Sequence, residues 1–265
     1  MGVPEGHTIH RAARDQTRLL VGGQVVALSP QGRFRDGALL IDGRTLHDID
    51  AHGKHLFYRF EDSLTLHVHL GLFGGFTTHR GEMAAEPRGA VRLRLVGHGG
   101  ALDLRGPTTC EILDADDEAR LRARLGPDPL RRDADPTVVW ERIRRSRAAI
   151  GTLLMDQSVL AGVGNVYRAE ALFWCGIHPA REGRSLSYEE WQALWGTICR
   201  MLREGVRAGR IITVDPADSG VARSRLGRGE RTYVYRQESC RRCGAPVVHW
   251  HMGGRTAWAC PACQR

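Results

Sequence analysis

The C-terminal end of the chain carries two Cys-x-x-Cys pairs, Cys240 with Cys243 and Cys260 with Cys263, separated by sixteen residues. Four thiolates at this spacing are typical of a closed, tetrahedral zinc site with no open position for catalysis. The alternative is two disulfides or four thiols without a ligand, which a chain lacking a secretory signal does not favour. Because a unit this short cannot bury a hydrophobic core, we expect one structural Zn²⁺ to supply its folding free energy.

The residues between the two cysteine pairs predict a β-hairpin. Two alternating runs, 245–251 and 255–259, flank Gly253-Gly254, and a Gly-Gly turn between such runs is typical of a hairpin. Arg255 directly follows this turn. The chain therefore ends in a metal-bound hairpin with an arginine at its tip.

The charge of the chain indicates a polyanionic partner. The formal net charge is +8, and residues 203–242 contain ten arginines against five acidic residues. A second arginine cluster lies within 142–147. Because guanidinium groups pair well with phosphate oxygens, nucleic acid is the leading partner. Of the 38 basic residues only Lys54 is a lysine, which indicates either a need for a compact charge there or a chance survivor.

The sequence carries no sign of a membrane or an oxidising compartment. No apolar run approaches the ~20 residues of a membrane span, and the first residues lack a signal pattern. We therefore expect a cytoplasmic protein. Three further cysteines, Cys110, Cys175 and Cys199, lie in apolar surroundings and are expected to be reduced core residues.

Hydrophobic periodicity divides the chain into a β-rich part and a helical part. Residues 7–20 have helical spacing, whereas apolar and polar residues alternate from Gln24 to about Leu104. Short strands with one apolar face predict an antiparallel β-sandwich. Further helices are expected over 117–125, from Pro136 to about Arg145, over 150–157, over 165–175, and from Ser187, where Glu190 completes a capping box.

These patterns predict an α+β chain of several domains. An N-terminal helix and β-sandwich are expected over 1–130, a helical domain over 131–235 and the zinc hairpin over 236–265. Within the helical domain, residues 213–231 are rich in Gly, Ser and Arg and predict a mobile basic loop.

Residues 155–170 join two of the predicted helices through a turn that contains Gly162 and Gly164. The backbone amides of Gly164, Asn165 and Val166 would open the second helix, and a helix N-terminus is a ready anion site. The side chain of Asn165 is expected to hold a phosphate or to cap the helix, and the two roles are compatible.

The 155–170 stretch, the terminal hairpin, the start Pro4-Glu5-Gly6-His7-Thr8-Ile9 and the domain order together resemble the formamidopyrimidine-DNA glycosylase / endonuclease VIII family of DNA repair enzymes. The resemblance spans essentially the whole chain and implies a helix-two-turn-helix domain. It implies a bifunctional DNA glycosylase and AP lyase that attacks C1′ of a damaged nucleotide with an N-terminal proline amine and nicks the strand by β,δ-elimination.

The resemblance also assigns residues to roles. Pro4 matches the nucleophile, Glu5 the carboxylate that protonates the sugar, and Lys54 a phosphate-binding lysine. The DNA-binding positions of the family are matched by Gly164, Asn165, Arg255 and the wedge residues Leu72 and Phe73. The implied partner is damaged DNA, duplex or single-stranded, and we expect a monomer.

The chain departs from the family pattern at three positions. Pro4 follows three other residues, and a proline nitrogen inside a chain is an amide that cannot attack. We therefore expect translation to start at the position written Val3 and trimming to expose Pro4. Thr8 replaces a second glutamate of the family, and Gly71 replaces the polar wedge residue.

The stretch 103–107 lacks the aromatic residue of the purine-specific branch, so the resemblance favours oxidised pyrimidines as substrates. Two alternatives stay open: an abasic-site lyase with little base excision, and a zinc-containing DNA-binding protein without catalysis if Pro4 is blocked.

His67 and His69 share a strand face. We expect them to form hydrogen bonds near the DNA, because no third metal ligand lies at a diagnostic spacing.

Overall fold

The structure is a computed structural model that describes residues 4–81 and 86–265. The chain separates into two compact units, one ending at Arg124 and one beginning at Leu125. Within the described ranges, no helix is both long and apolar enough to cross a membrane.

The first unit is a β-sandwich with a helix packed against it. Its helices are α1 (Gly6–Leu20), α2 (Arg35–Ile41) and α3 (Ala115–Ala123), and its strands are β1 (Val26–Leu28), β2 (Leu46–His52), β3 (His55–Phe60), β4 (Thr65–His69), β5 (Gly75–Arg80), β6 (Val91–Gly97), β7 (Gly100–Arg105) and β8 (Thr109–Leu113). All pairings are antiparallel, and the two four-stranded sheets have the orders β1-β6-β7-β5 and β2-β3-β4-β8.

The core of this unit lies between the sheets and under α1. Ile9 and Leu20 of α1 are fully buried together with Leu56, Leu66 and Leu102 from both sheets. Each large apolar side chain removed from water stabilises the folded state by about 1.5–3 kcal/mol. The apolar faces of the alternating strands therefore pack into this core. The predicted sandwich and first helix are confirmed.

Helix α2 lies inside the stretch that the sequence predicted to be strands. Only Ala38 and Ile41 of this helix are buried, while Leu39 and Leu40 are exposed. Its first turn has no side-chain cap. Seven residues without a capping signal are too few for helical periodicity to stand out from alternation.

The second unit contains the helices and the hairpin. Its elements are α4 (Pro136–Ile143), α5 (Ile150–Leu153), α6 (Asn165–Trp174), α7 (Tyr188–Ala208), α8 (Pro216–Ser219), β9 (Val248–Met252) and β10 (Arg255–Ala259). The capping box of α7 is present, because Ser187 Oγ accepts from the Glu190 N–H at 3.2 Å and Glu190 Oε2 accepts from the Ser187 N–H at 2.8 Å. Trp191, Leu194 and Ile198 on its inner face are buried.

Helix α5 is shorter than the predicted 150–157. The carboxylate of Asp156 accepts hydrogen bonds from the N–H of Ser158 at 2.9 Å and from its hydroxyl at 2.7 Å. This local turn competes with helical hydrogen bonding, so the helix ends at Leu153. Helix α4 likewise ends two residues before the predicted Arg145.

The hairpin of β9 and β10 turns through Gly253 and Gly254. Both glycines have positive φ angles, 57° and 75°, which is the conformation of the two-residue turn that suits hairpin twist. The predicted hairpin is therefore confirmed, with its first strand beginning at Val248 rather than at Ala245. The α+β architecture as a whole confirms the predicted fold class.

Candidate nucleic-acid interface and metal centre

Pro4 and Glu5 lie immediately before α1. Glu5 is the N-cap residue, its side chain is 1% exposed, and its carbonyl accepts from the Thr8 N–H at 2.8 Å. Pro4 is half-buried. The predicted start at Val3 falls on residues 1–3, which lie outside the described residues.

Thr8, which replaces a family glutamate, does not carry a negative charge to this helix start. Its hydroxyl contacts Nε2 of His7 at 3.3 Å. Burial, and then the nearby Arg11, lower the pKa of His7 to about 4, so this histidine is neutral at physiological pH. Glu5 is therefore the only acidic residue in the sequence from Pro4 to Arg14.

Lys54 lies in the tight turn between β2 and β3. The preceding Gly53 has a φ of +60°, which a glycine adopts without strain. The backbone carbonyl of Lys54 accepts from His69 Nδ1 at 3.0 Å, so β4 fixes the turn that presents the lysine.

A chain of hydrogen bonds runs through the histidines on this sheet. His55 Nδ1 lies 2.9 Å from His67 Nε2, and His67 Nδ1 lies 2.9 Å from Glu111 Oε1. Burial, followed by the charges of His69 and His67, lowers the pKa of His55 to about 3. His67 and His69 thus both form hydrogen bonds, and among the described residues the group arranged to hold a metal ion is the four cysteines rather than these histidines.

Leu72 and Phe73 occupy the turn between β4 and β5. Phe73 is 90% exposed and Leu72 is 44% exposed, so this turn presents two large apolar side chains to solvent. Gly71 has a φ of +65°, and a Cβ there would lie 1.9 Å from Thr108 Oγ1. The positive φ and the close approach of Thr108 both favour glycine at this position.

The turn before α6 places Asn165 against the hairpin. Asn165 Nδ2 donates to the carbonyl of Thr256 at 3.1 Å, and Arg168 donates to the same carbonyl at 2.7 Å and to Asn165 Oδ1. The N-cap of α6 is Gly164, and Asn165 is the first helical residue. The alternative that Asn165 caps the helix is therefore wrong.

Arg255 is exposed at the first position of β10. It precedes Thr256, whose carbonyl receives the Asn165 and Arg168 hydrogen bonds. The structure thus brings Asn165 and Arg255 to one corner of the second unit, where the N-terminus of α6 meets the hairpin turn. No sequence pattern predicted that Arg168, which is 1% exposed, makes this connection.

The four predicted metal ligands converge. The Sγ atoms of Cys240, Cys243, Cys260 and Cys263 lie within 4.8 Å of one another, and three of the separations are 3.5, 3.5 and 4.0 Å. All four are thiols. A tetrahedron with Zn–S bonds of ~2.3 Å has edges of ~3.8 Å, so the disulfide alternative is wrong and the donor set fits a tetrahedral thiophilic ion.

One of the four thiols has a lowered pKa, whereas burial raises the pKa of Cys240 and of Cys263. A hydrogen bond from the Ala245 N–H, followed by one from Cys260, lowers the pKa of Cys243 to about 7. A lowered pKa favours the thiolate, which is the form that binds a metal.

Glu170 of α6 is a buried carboxylate that no sequence pattern singled out. Its carboxylate is fully buried and accepts from the Thr213 hydroxyl at 2.5 Å. It also accepts from three successive N–H groups, those of Tyr233, Val234 and Tyr235, at 2.7, 2.9 and 2.8 Å. Burial raises the pKa of Glu170 against these bonds. The sequence feature that could have revealed it is a glutamate within a helical run of mostly apolar residues.

The 213–231 loop is more ordered than its composition predicted. It contains α8 and two 3₁₀ turns, Arg223–Arg225 and Arg228–Glu230. Val214 and Leu226 are 2% and 4% exposed and belong to the same apolar cluster as Cys240 and Cys260. Val214 and Leu226 thus anchor the loop, whereas Val221 is exposed.

Comparison with known proteins places this arrangement in a family. The formamidopyrimidine-DNA glycosylase N-terminal domain matches residues 3–110, and the H2TH domain of formamidopyrimidine-DNA glycosylase matches residues 125–216. Endonuclease 8 1 of Mycobacterium tuberculosis is 47% identical over 267 residues, covering 99% of this chain and 100% of that protein.

Two further relatives extend the comparison. The formamidopyrimidine-DNA glycosylase of Thermus thermophilus is 33% identical over 269 residues, covering 99% of this chain and 97% of that protein. The solved complex between Fpg of Lactococcus lactis and DNA containing an abasic site has a TM-score of 0.78 at 25% identity, covering 98% of this chain and 99% of that one. The chain therefore belongs to the formamidopyrimidine-DNA glycosylase / endonuclease 8 family, the DNA glycosylases of base excision repair that also have AP lyase activity.

Proposed function

We propose that the chain removes oxidised pyrimidines from damaged DNA and then cleaves the strand, using Pro4 as nucleophile. The observation that carries this proposal is the Pro4-Glu5 pair at the start of α1, with the Glu5 side chain buried beside the proline. In a chain of this family, a buried carboxylate next to a proline nitrogen combines a nucleophile with a proton donor.

In the proposed reaction the secondary amine of Pro4 attacks C1′ and the C1′–N bond to the base breaks. Glu5 protonates the sugar ring oxygen as the ring opens, and a cationic iminium forms between Pro4 and C1′. A base removes a C2′ proton, the electrons of that C–H bond convert the iminium to an enamine, and the enamine expels the 3′ phosphate. Removal of a C4′ proton then expels the 5′ phosphate, and water hydrolyses the remaining iminium to free Pro4. An α-amine has a pKa of about 8, so a useful fraction of it is neutral near pH 7.5.

This chemistry requires Pro4 to be the first residue of the active protein. An internal proline nitrogen shares its lone pair with the preceding carbonyl and cannot attack. We therefore propose that residues 1–3 are absent from the active form.

Lys54, Asn165, Arg255 and the backbone amide of Gly164 are proposed to bind phosphates. Arg255 is exposed, and Gly164 opens α6, where the helix dipole favours an anion. Leu72 and Phe73 are proposed to fill the gap that the extruded nucleotide leaves, because apolar wedges stabilise unstacked DNA. Their exposure supports this role.

The ion at the four cysteines is proposed to be one structural Zn²⁺. Zinc is the usual partner of four thiolates in a closed tetrahedron. It would hold the hairpin that presents Arg255 and would take no part in the chemical steps.

Oxidised pyrimidines are the proposed substrates for two reasons. The 103–107 stretch lacks an aromatic residue that could act as a second wedge, and the relative with 47% identity is named endonuclease 8. The test uses the form of the protein that begins at Pro4. Base excision is measured on duplexes that carry an oxidised pyrimidine or an oxidised purine, and strand cleavage on a duplex with a preformed abasic site. Excision of the pyrimidine before the purine is expected. Cleavage of the abasic site alone would favour a lyase with little base excision.

A further inference from the structure

The two arginines inside the first cysteine pair contact the 213–231 loop. Arg241 Nη2 donates to the carbonyl of Gly229 at 2.7 Å, and Gln237 Nε2 donates to the same carbonyl at 2.9 Å. Gly229 lies in the second 3₁₀ turn of the loop. The first arginine between the metal ligands therefore holds the C-terminal half of the loop.

Arg242 packs over an aromatic cluster whose members lie outside the loop, at the end of α6 and just after the loop. Its guanidinium carbon lies 4.8 Å from the ring centre of Phe173, 4.9 Å from that of Tyr233 and 5.3 Å from that of Trp174. Cation–π contacts over several rings stabilise a partly desolvated guanidinium. The arginine thus connects the cysteine pair to the end of α6 and to the segment that follows the loop.

The same arginine reaches the short helix within the loop. Arg242 Nε lies 3.7 Å from Asp218 Oδ2 in α8, and the Tyr233 hydroxyl donates to that oxygen at 2.5 Å. Arg242 and Asp218 side chains are 38% and 34% exposed, so water screens this ion pair only in part.

The positions of both arginines depend on the turn of the Cys240–Cys243 pair. The Gly244 N–H donates to the carbonyl of Cys240 at 2.8 Å, and the Cys240 N–H donates to the carbonyl of Ala245 at 2.8 Å. Binding of Cys240 and Cys243 to one ion would fix this turn, since a preformed metal site rarely persists without its ion. The direction of the two guanidinium groups is then tied to metal binding.

We propose that Arg241 and Arg242 are positioning residues that clasp the 213–231 loop, so that metal binding to the cysteines orders this loop. Its link to activity rests on the proposed function and takes this arginine-rich loop as the segment against which the extruded base lies. An abasic site presents no base, so the clasp is needed for base excision and not for strand cleavage at an abasic site.

The direct test is trypsin cleavage of the loop in Arg241→Gln, Arg242→Gln and the double variant, with Arg184→Gln as a control of equal charge change. Arg184 is an exposed residue whose ion-pair partner is Glu182. Arg223 is held separately by Glu204 at 2.8 Å, so cleavage after Arg228 and Arg231 reports on the clasp. Metal content and thermal unfolding, measured in parallel, identify any variant that fails to fold or to bind the ion.

The expected result is cleavage about tenfold faster in the double variant at full metal content, because local opening becomes easier when anchoring contacts are lost. Chelation of the wild-type protein should produce the same increase, and Arg184→Gln should match the wild type. Unchanged protection of the loop in the double variant, or in the metal-free wild type, would overturn the proposal.

Activity supplies the second measurement. In the double variant, excision of an intact oxidised pyrimidine should fall about tenfold, whereas cleavage of a preformed abasic site should change less than about threefold. Equal loss of both activities would contradict a role confined to the loop. If the wild-type form beginning at Pro4 neither excises nor cleaves, the proposed function fails, while the trypsin result still decides the clasp.

Discussion

Arg255 is the exposed side chain beside the hairpin turn, one residue before the carbonyl that Asn165 and Arg168 hold. If it binds one phosphate, Arg255→Ala should weaken DNA binding and reduce the slope of log affinity against log salt by about 0.9. Arg184→Ala, an exposed arginine outside this corner, serves as the control. An unchanged slope in Arg255→Ala would remove this residue from the phosphate contacts.

Glu170 is a buried carboxylate whose change should destabilise the second unit. Its two oxygens accept from one hydroxyl and three backbone N–H groups. Glu170→Gln places a donor against buried donors, so the free energy of unfolding should fall by about 2–4 kcal/mol. Urea unfolding measures this free energy, and Glu182→Gln, at an exposed position, is the control. A change below about 0.5 kcal/mol would show that these hydrogen bonds contribute little.

At the scale of elements, the buried Asp103 of β7 joins three strands. It accepts from Arg94 at 2.6 and 2.9 Å, from His79 at 3.0 Å and from Arg105 at 3.0 Å. Burial alone would raise the pKa of Asp103, but the hydrogen bonds from Arg94 and His79 lower it overall. The ion pair therefore stabilises the sheet above the ordinary carboxyl pKa of about 3.9 and loses this effect as the pH falls through the lowered pKa.

Asp103→Asn should accordingly destabilise the first unit by about 3–5 kcal/mol at neutral pH, because it removes the negative charge that faces the buried Arg94. Denaturant unfolding at several pH values checks this prediction, and the difference from the wild type should shrink below pH ~4. Asp62→Asn, in an exposed ion pair with Arg44, should cost less than about 1 kcal/mol. A pH-independent difference would contradict the linkage.

The hairpin element depends on the ion at its four cysteines. Because the hairpin itself contains only two five-residue strands, chelation should abolish the amide-exchange protection of residues 240–263 while the first unit keeps its own. DNA affinity should fall with it and return when Zn²⁺ is restored. Full DNA affinity after verified loss of the metal would contradict the role of the hairpin.

Elements with local signals were predictable from the sequence, and those with distant causes were not. The α7 capping box and the Gly253-Gly254 turn depend on neighbours in sequence, so both were predicted correctly. The end of α5 depends on a side-chain turn at Asp156, which competes with the helical pattern. Asn165 binds a carbonyl 91 residues away, a contact that no periodicity reveals.

At the scale of the whole molecule, the candidate residues are divided between the two units. Pro4, Glu5 and Lys54 lie in the first unit, and Asn165 and Arg255 lie in the second. Their roles stay predictions, made because the proposed chemistry requires an amine, a carboxylate and cations. Their supports, such as Thr108 beside Gly71, arise from packing and were visible only in the structure.

The central claim is that the amine of Pro4 forms the covalent intermediate. Borohydride trapping on abasic DNA tests it with two preparations, one that begins at Met1 and one that begins at Pro4, each verified by intact mass. We expect a covalent protein–DNA adduct only with the second, because only a free secondary amine can form the iminium. An adduct with neither preparation, or an equal adduct with the chain that still begins at Met1, would contradict the account.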